Sequence, residues 1–393
     1  MFLIVVLFLP QSLAPNITSL SVSRLFQGTA ASVEGPVVAG IITDLYSREG
    51  GRGTAMSTFT LFVFTANAFG PLCCNWLSFK THWSNMYWLQ MALNGVTLIL
   101  ICFVLEETRH DVILDRKVRK YNKENGTDFQ IKSDAAHSVT ELITKSLTRP
   151  IVYLFTEPIV IALSLWVGFA WGCVFLATGT VTHVFEKTYG FNQGQAGTVL
   201  ITGFIGALLA WVVNFGQNAL FDRSKDPVTG FAPPEARLYH SALGGLLFGL
   251  FEIMFAYTAK ESTHWIVPCV ALTIVNFGIM PIYSAVYAYI GDAYESYSSS
   301  AQASQALLRN VLGATFPFFG TAMYDNLDFK YASIVIGSIA LALSLVPFIL
   351  LLYGAKLRDM SKVTKSIMIK QEQDRLARKA SNGAIEKAEI THV

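Results

Sequence analysis

Long apolar runs alternate with short polar ones along the whole chain. Nine runs reach the roughly 20 residues that cross a bilayer as a helix. Their approximate limits are 18–43, 56–78, 85–105, 156–184, 195–221, 239–259, 265–290, 303–324 and 331–353. Ahead of them stands a shorter run, Phe2 to Leu9, which Pro10 is expected to end. The pattern predicts an all-α polytopic membrane protein. A signal peptide would open with a basic stretch. Here Met1 is followed at once by Phe2, Leu3 and Ile4, which fits a helix cut in its middle better.

Composition agrees. The chain is 52% hydrophobic and 14% charged, whereas soluble domains carry about a quarter charged residues. A net charge of +2 and the lack of a basic stripe interleaved with aromatics argue against a nucleic-acid partner. Cys73, Cys74, Cys102, Cys173 and Cys269 all lie in apolar runs, where they read as small fillers and not as a disulfide framework or metal site. No two histidines have the i, i+4 spacing of a helical metal site. No cofactor and no enzymatic constellation is expected.

Basic residues orient the spans. With the 44–55 loop in the cytoplasm, 23 of the 29 lysines and arginines fall on that side. The opposite side holds Lys80, Lys187, Lys260 and Lys330, while Arg24 and Arg309 lie inside spans. The C-terminal tail is thus expected in the cytoplasm. The sequon at Asn125 falls on that side too, and the one at Asn16 hugs the membrane, so neither is expected to carry sugar. The domain expectation is a helical bundle at 1–105, a central loop at 106–150, a six-helix bundle at 151–353 and a charged tail at 354–393.

A weak repeat links the two bundles. Ile41-Ile42-Thr43-Asp44-Leu45-Tyr46 matches Tyr289-Ile290-Gly291-Asp292-Ala293-Tyr294, and Phe69-Gly70-Pro71 loosely matches Thr315-Phe316-Pro317. Parallel duplication of a six-helix half is the architecture of the major facilitator class. On that reading the first bundle is incomplete, short by about two and a half helices at ordinary span length.

The run Arg24-Leu25-Phe26-Gln27-Gly28-Thr29-Ala30-Ala31 resembles the fourth-helix motif of proton-coupled drug antiporters, and Ala66-Asn67-Ala68-Phe69-Gly70-Pro71 resembles their fifth-helix motif. The 289–294 stretch with Ser298-Ser299-Ser300-Ala301 and Leu308-Arg309-Asn310-Val311-Leu312 looks like the tenth-to-eleventh helix junction of fungal members. Thr156-Glu157-Pro158-Ile159 and Pro234-Glu235-Ala236-Arg237-Leu238 are similar to further landmarks. The resemblance spans about residues 3–358. The fifth-helix motif departs from the pattern at Ala66 and at Cys74-Asn75. It implies a plasma-membrane exporter of small amphipathic or cationic compounds (drugs, polyamines), coupled to protons and working as a monomer. A non-transporting remnant of such a protein is the alternative.

Charges inside a bilayer ask for a reason. Arg24, Glu34 and Glu252 are the candidates for proton or substrate contact. Arg24 and Glu34 differ by ten residues, so they face different sides about 15 Å apart and are not a direct pair. Asp44 and Arg52 in the first half, with Asp292, Arg309, Asp222 and Arg223 in the second, are expected at the cytoplasmic gate. Gly70 and Pro71 are expected to interrupt a span and permit close packing. Gly35, Gly40, Gly203, Gly206, Gly244, Gly245 and Gly249 are expected to let helices approach. Trp166, Trp171, Tyr283, Tyr287 and Phe277 could line a cavity or simply fill the core.

Overall fold

The computed structural model describes the chain except for Val33 and residues 47–50, 109, 127–138, 226–231, 295–296, 362, 366, 368 and 370–393. The elements before the central segment are α1 (Phe2–Ser12), α2 (Ile17–Ala31), α3 (Glu34–Leu45), α4 (Arg52–Lys80) and α5 (Ser84–Val104). The central segment holds α6 (His110–Asn125) and α7 (Val139–Thr156). Then come α8 (Pro158–Tyr189), the short α9 (Gln193–Thr198) and α10 (Ile201–Arg223). A 3-10 turn at Pro234–Leu238 leads into α11 (Tyr239–Thr258), α12 (Ile266–Tyr294), α13 (Ser298–Leu343) and α14 (Leu345–Met360).

Local chemistry sets several of these limits. Asn16 caps α2 by accepting the Ser19 N–H. Asn192 and Gln195 form a reciprocal capping box on α9. Pro158 opens α8, and Gly190, at φ 66°, ends it. Asp328 (φ 63°, ψ 149°) breaks α13 into two helices in series, and its Oδ1 accepts the Phe329 N–H at 2.8 Å.

Seven helices among the described residues are long and apolar enough to cross a membrane, against nine expected. The 18–43 run is shared between α2 and α3, of 15 and 12 residues, each short of a span. The 303–324 run lies in α13, where Gln302, Gln305, Arg309 and Asn310 dilute the apolar character. Pro10 does not end α1, which continues to Ser12. The apolar core is centred on α8, α11, α12 and α13, with Leu163, Trp166, Met280 and Tyr289 fully buried.

Small residues set the closest helix crossings, as expected for packing without a hydrophobic drive between helices. A side chain on Gly206 of α10 would strike the Thr273 carbonyl of α12, and one on Gly249 of α11 would stand 2.8 Å from the Leu341 nitrogen. Gly168, Gly172 and Leu176 of α8 meet Arg309, Phe316 and Gly320 of α13 in turn, which makes these two helices parallel neighbours in register. Gly35 and Gly70 behave differently. A side chain at either would meet nothing within 4 Å, because among the described residues no helix lies against those faces.

The two sets of helices join along one seam, where α4 packs on α9 and α10. Trp76 Nε1 donates to Thr198 Oγ1 at 2.8 Å at one end. Trp211 Nε1 donates to Thr58 Oγ1 at 3.1 Å in the middle. Asn218 Nδ2 donates to Thr54 Oγ1 at 3.4 Å at the other. Gly194 and Gly197 sit directly under Trp76 and Asn75. Beyond the seam α1, α2 and α5 form a small cluster around Ile4, Phe8 and Tyr87.

Substituting Gly206→Val should force α10 off α12 and destabilise the protein by about 1–3 kcal/mol. Gly216→Ala, on the same helix with open space around it, should be neutral or stabilising by up to about 1 kcal/mol. Thermal unfolding of the two variants in detergent checks this, and equal melting points would contradict the packing described.

Candidate functional site

Buried polar groups gather at three places along the bundle. The first surrounds Arg309. Its Nη1 donates to the hydroxyls of Tyr283 at 2.8 Å and Tyr287 at 3.1 Å. The guanidinium carbon lies 5.4, 5.2 and 5.9 Å from the ring centres of Trp171, Tyr283 and Tyr287. These are cation–π distances. Trp171 and Tyr283 stack at 5.2 Å, and Phe64 of α4 sets its edge on both. Thus α4, α8, α12 and α13 each contribute to one aromatic cage that borders the seam.

The second place is Glu252 on α11, only 8% exposed. It faces a cavity of about 60 Å³ lined by Asn67 and Ala68 of α4, Cys173 and Thr180 of α8, Gly203 of α10, Asn276 of α12 and Tyr324 of α13. That volume holds a few water molecules. Among the described residues no cation and no hydrogen-bond donor meets the Glu252 carboxylate. An ionised carboxylate there would be desolvated without compensation, which is costly. Tyr324 is shared with a larger open cleft of about 1020 Å³. That cleft is lined by His183, Lys187, Lys260, Glu261, Asp328 and Lys330. The Tyr324 hydroxyl is hydrogen-bonded to Thr180 and lies 3.5 Å from Ser333 Oγ. Its ring stacks on Phe329, so it partitions the two spaces.

The third place is the end of the bundle expected to face the cytoplasm. Arg237 Nε donates to Asp292 Oδ2 at 2.9 Å, and the two side chains are 13% and 9% exposed. The Arg237 guanidinium lies 3.4 Å from the centre of the Phe221 ring. Beside it, Arg358 meets Glu235 at 3.1 Å, and Tyr294 donates to the buried Glu157 at 3.0 Å. Gln217 ties the 3-10 turn to α11 by donating to the Ala236 carbonyl and accepting the His240 N–H. The N-terminus of α4 rests on this network. A side chain on Gly53 would stand 2.9 Å from Asn218 Oδ1 and 3.4 Å from Arg237 Nη1.

A family model described as Major Facilitator Superfamily matches residues 1–317. The chain belongs to the Major Facilitator Superfamily. This facilitator is 32% identical over 366 residues to the MFS transporter cpaT of Aspergillus oryzae, covering 91% of this chain and 72% of that protein. It is 30% identical to the efflux pump atB of Aspergillus terreus, at 92% and 78% coverage. It is 28% identical to the multidrug transporter FLU1 of Candida albicans, at 89% and 58%. Among solved structures it superposes on a POT family transporter in complex with 5-aminolevulinic acid, with a TM-score of 0.59, 15% identity, and 91% and 80% coverage. At that identity the likeness carries the fold alone. The chain is therefore a multi-pass membrane transporter.

The residues singled out in the sequence of this facilitator do not form one constellation. Asp292 and Arg309 are not a pair: Asp292 takes Arg237, while Arg309 takes Tyr283 and Tyr287. The reason is geometric, since Arg309 lies level with Gly168 and is walled by rings. Arg237 and Glu235 likewise choose partners from α12 and α14 in place of each other. Asp222 meets Lys225 at 2.7 Å, and Arg223 is exposed beside it. Asp44 is exposed at the end of α3, so it does not share the environment of its repeat mate Asp292. The Arg52 side chain lies outside the described residues. Arg24 donates to the Tyr87 hydroxyl at 2.9 Å with the ring beneath its guanidinium. Glu34 is 44% exposed and lies 3.9 Å from the Met1 amine. Pro71 does not interrupt α4.

The sequence reading of this facilitator overlooked Gln302, Gln305 and Arg358. The 3- and 4-residue spacing of Gln302, Gln305 and Arg309 puts all three on one face of α13, and that was the available signal. Arg358 lies in a basic tail where nothing in the order of residues points to Glu235.

Removing one partner of a nearly buried ion pair takes a compensating charge away from the other. Arg237→Ala should therefore cost about 3–5 kcal/mol of stability. Exchanging the charges in the double variant Arg237→Asp with Asp292→Arg should recover part of it. Melting temperatures of the single and double variants check this, and a single variant as stable as the parent would contradict it.

Proposed function

We propose that this facilitator exports small amphipathic compounds from the cell, as a plasma-membrane monomer with its tail in the cytoplasm, by alternating access coupled to protons. One observation carries the reading. Among the described residues Glu252 has no counter-charge, and it faces a cavity to which both α4 and the second bundle contribute. Its charge state is then tied to the seam that must open and close. With a proton it is compatible with the closed, desolvated seam. On losing it, the carboxylate favours a state that lets water or a cationic group reach it. The titratable side chains lining the same cavity are Cys173 and Tyr324.

The opposite ends of the seam supply the gates. Separation of α4 from α10 at the inner end would lift Gly53 from Arg237 and expose the Arg237–Asp292 pair. Asp44, Arg52, Asp222 and Arg223 belong to the same end on this reading. At the outer end the Trp76–Thr198 contact holds α4 on α9. The relatives named as efflux pumps support export as the direction.

Glu252→Gln keeps the shape and removes the titration. In vesicles with an imposed pH gradient, export of an amphipathic dye should lose about tenfold or more of its gradient dependence, the equivalent of one 1.4 kcal/mol step. Gradient-driven export as steep in Glu252→Gln as in the parent would refute the assignment.

A further inference from the structure

The aromatic cage around Arg309 contains a charge that nothing in it balances. Among the described residues no carboxylate approaches this guanidinium, and its three close partners are rings and hydroxyls. Its Nε–H is buried without an acceptor. One turn earlier on the same face, Gln305 is fully buried with both amide atoms unpartnered, and the Gln302 Oε1 is unpartnered too. The α8–α13 register brings Ser164 level with Gln305, and the Ser164 hydroxyl is likewise buried without a partner. Such groups are costly to leave unmatched. Arg309 and Tyr287 are only partly buried.

We infer that this cage is an anion subsite and that the transported compounds include planar organic acids. The inference rests on the transporter reading above and narrows its substrate class. The donors decide the sign. An arginine presents five N–H groups and no acceptor. Tyr283 and Tyr287 use their oxygens to accept from Arg309, and because their hydroxyls are also bonded to each other, one O–H is left to donate. A carboxylate placed against Arg309 would receive charge-assisted hydrogen bonds from the guanidinium and from the remaining hydroxyl. The stacked Trp171 and Tyr283 would wall a flat ring attached to it. An amine or polyamine would instead meet a fixed positive charge.

The test uses inside-out plasma-membrane vesicles carrying the full chain, from a host stripped of its own drug pumps. The probes share one shape: 1-naphthoate, the neutral 1-naphthamide and the cationic 1-naphthylmethylamine. Naphthoate should be taken up best. Arg309→Gln should lower its kcat/KM by about tenfold or more, the loss expected for hydrogen bonds to a charged group, and leave naphthamide nearly unchanged. Arg309→Lys should rescue part of the naphthoate rate. Should neither variant fold, binding to the parent protein decides, read as quenching of tryptophan fluorescence, with naphthoate required to bind more tightly than the amide and the amine. Preference for the amine, or equal loss of naphthoate and naphthamide in Arg309→Gln, overturns the inference. If the vesicles move other amphipathic compounds but none of these probes, the inference fails and the transporter reading stands. If they move no compound at all, the transporter reading fails and takes this inference with it.

Discussion

A charge removed from water must find compensation, and the molecule is organised by how it compensates its few buried ones. Arg237 and Asp292 compensate each other, as do Arg358 and Glu235. Among the described residues Arg309 has two hydroxyls and three ring faces but no anion. Glu252 has only a small cavity. The paired charges sit together at one end of the bundle, where they fix how the 3-10 turn, α12 and α14 meet. The uncompensated ones sit deeper and beside the seam, where a ligand or a proton can supply what is missing.

The seam makes those groups useful. Where α4 meets α9 and α10, three hydrogen bonds cross the seam, two indole N–H groups and an amide, each on a threonine hydroxyl, beside apolar packing such as Phe69 against Phe204. Glycines beneath Trp76 and Asn75 let the backbones approach without interlocking side chains. Within the second bundle the crossings are deeper, with Gly206, Gly244 and Gly249 each against a neighbouring backbone. A molecule built this way has one interface suited to opening and a set of crossings suited to staying closed. Phe64 and Asn67, on the α4 side, reach the cage and the cavity respectively, so movement at the seam changes both sites.

The fold class and seven of the nine expected spans were legible because both follow from apolar length and charge placement, which are local properties. The glycines of α10 and α11 were legible for the same reason. The partners were not. Arg309 stands 17 residues after Asp292 in the sequence, yet it pairs with Tyr283 and Tyr287 while Asp292 reaches back to Arg237. Pairing depends on how deep each side chain lies and on what the next helix presents, and neither is written in spacing along one helix. The 18–43 run was expected to be one span; its division into α2 and α3 was missed because both pieces are apolar. Gly70 fitted a motif, but among the described residues no helix lies against it. The aromatic residues were identified as a group, and only their convergence on Arg309 distinguishes Trp171, Tyr283 and Tyr287 from the fully buried Trp166.

The central claim is that transport requires α4 and α10 to part. Thr54 and Asn218 face each other across the Arg237–Asp292 end of the seam at 3.4 Å, so cysteines there can be joined after the native cysteines are replaced. Export should stop when Thr54→Cys and Asn218→Cys are oxidised to a disulfide and resume on reduction, while each single variant is indifferent to the redox state. Undiminished export by the cross-linked protein would contradict the account.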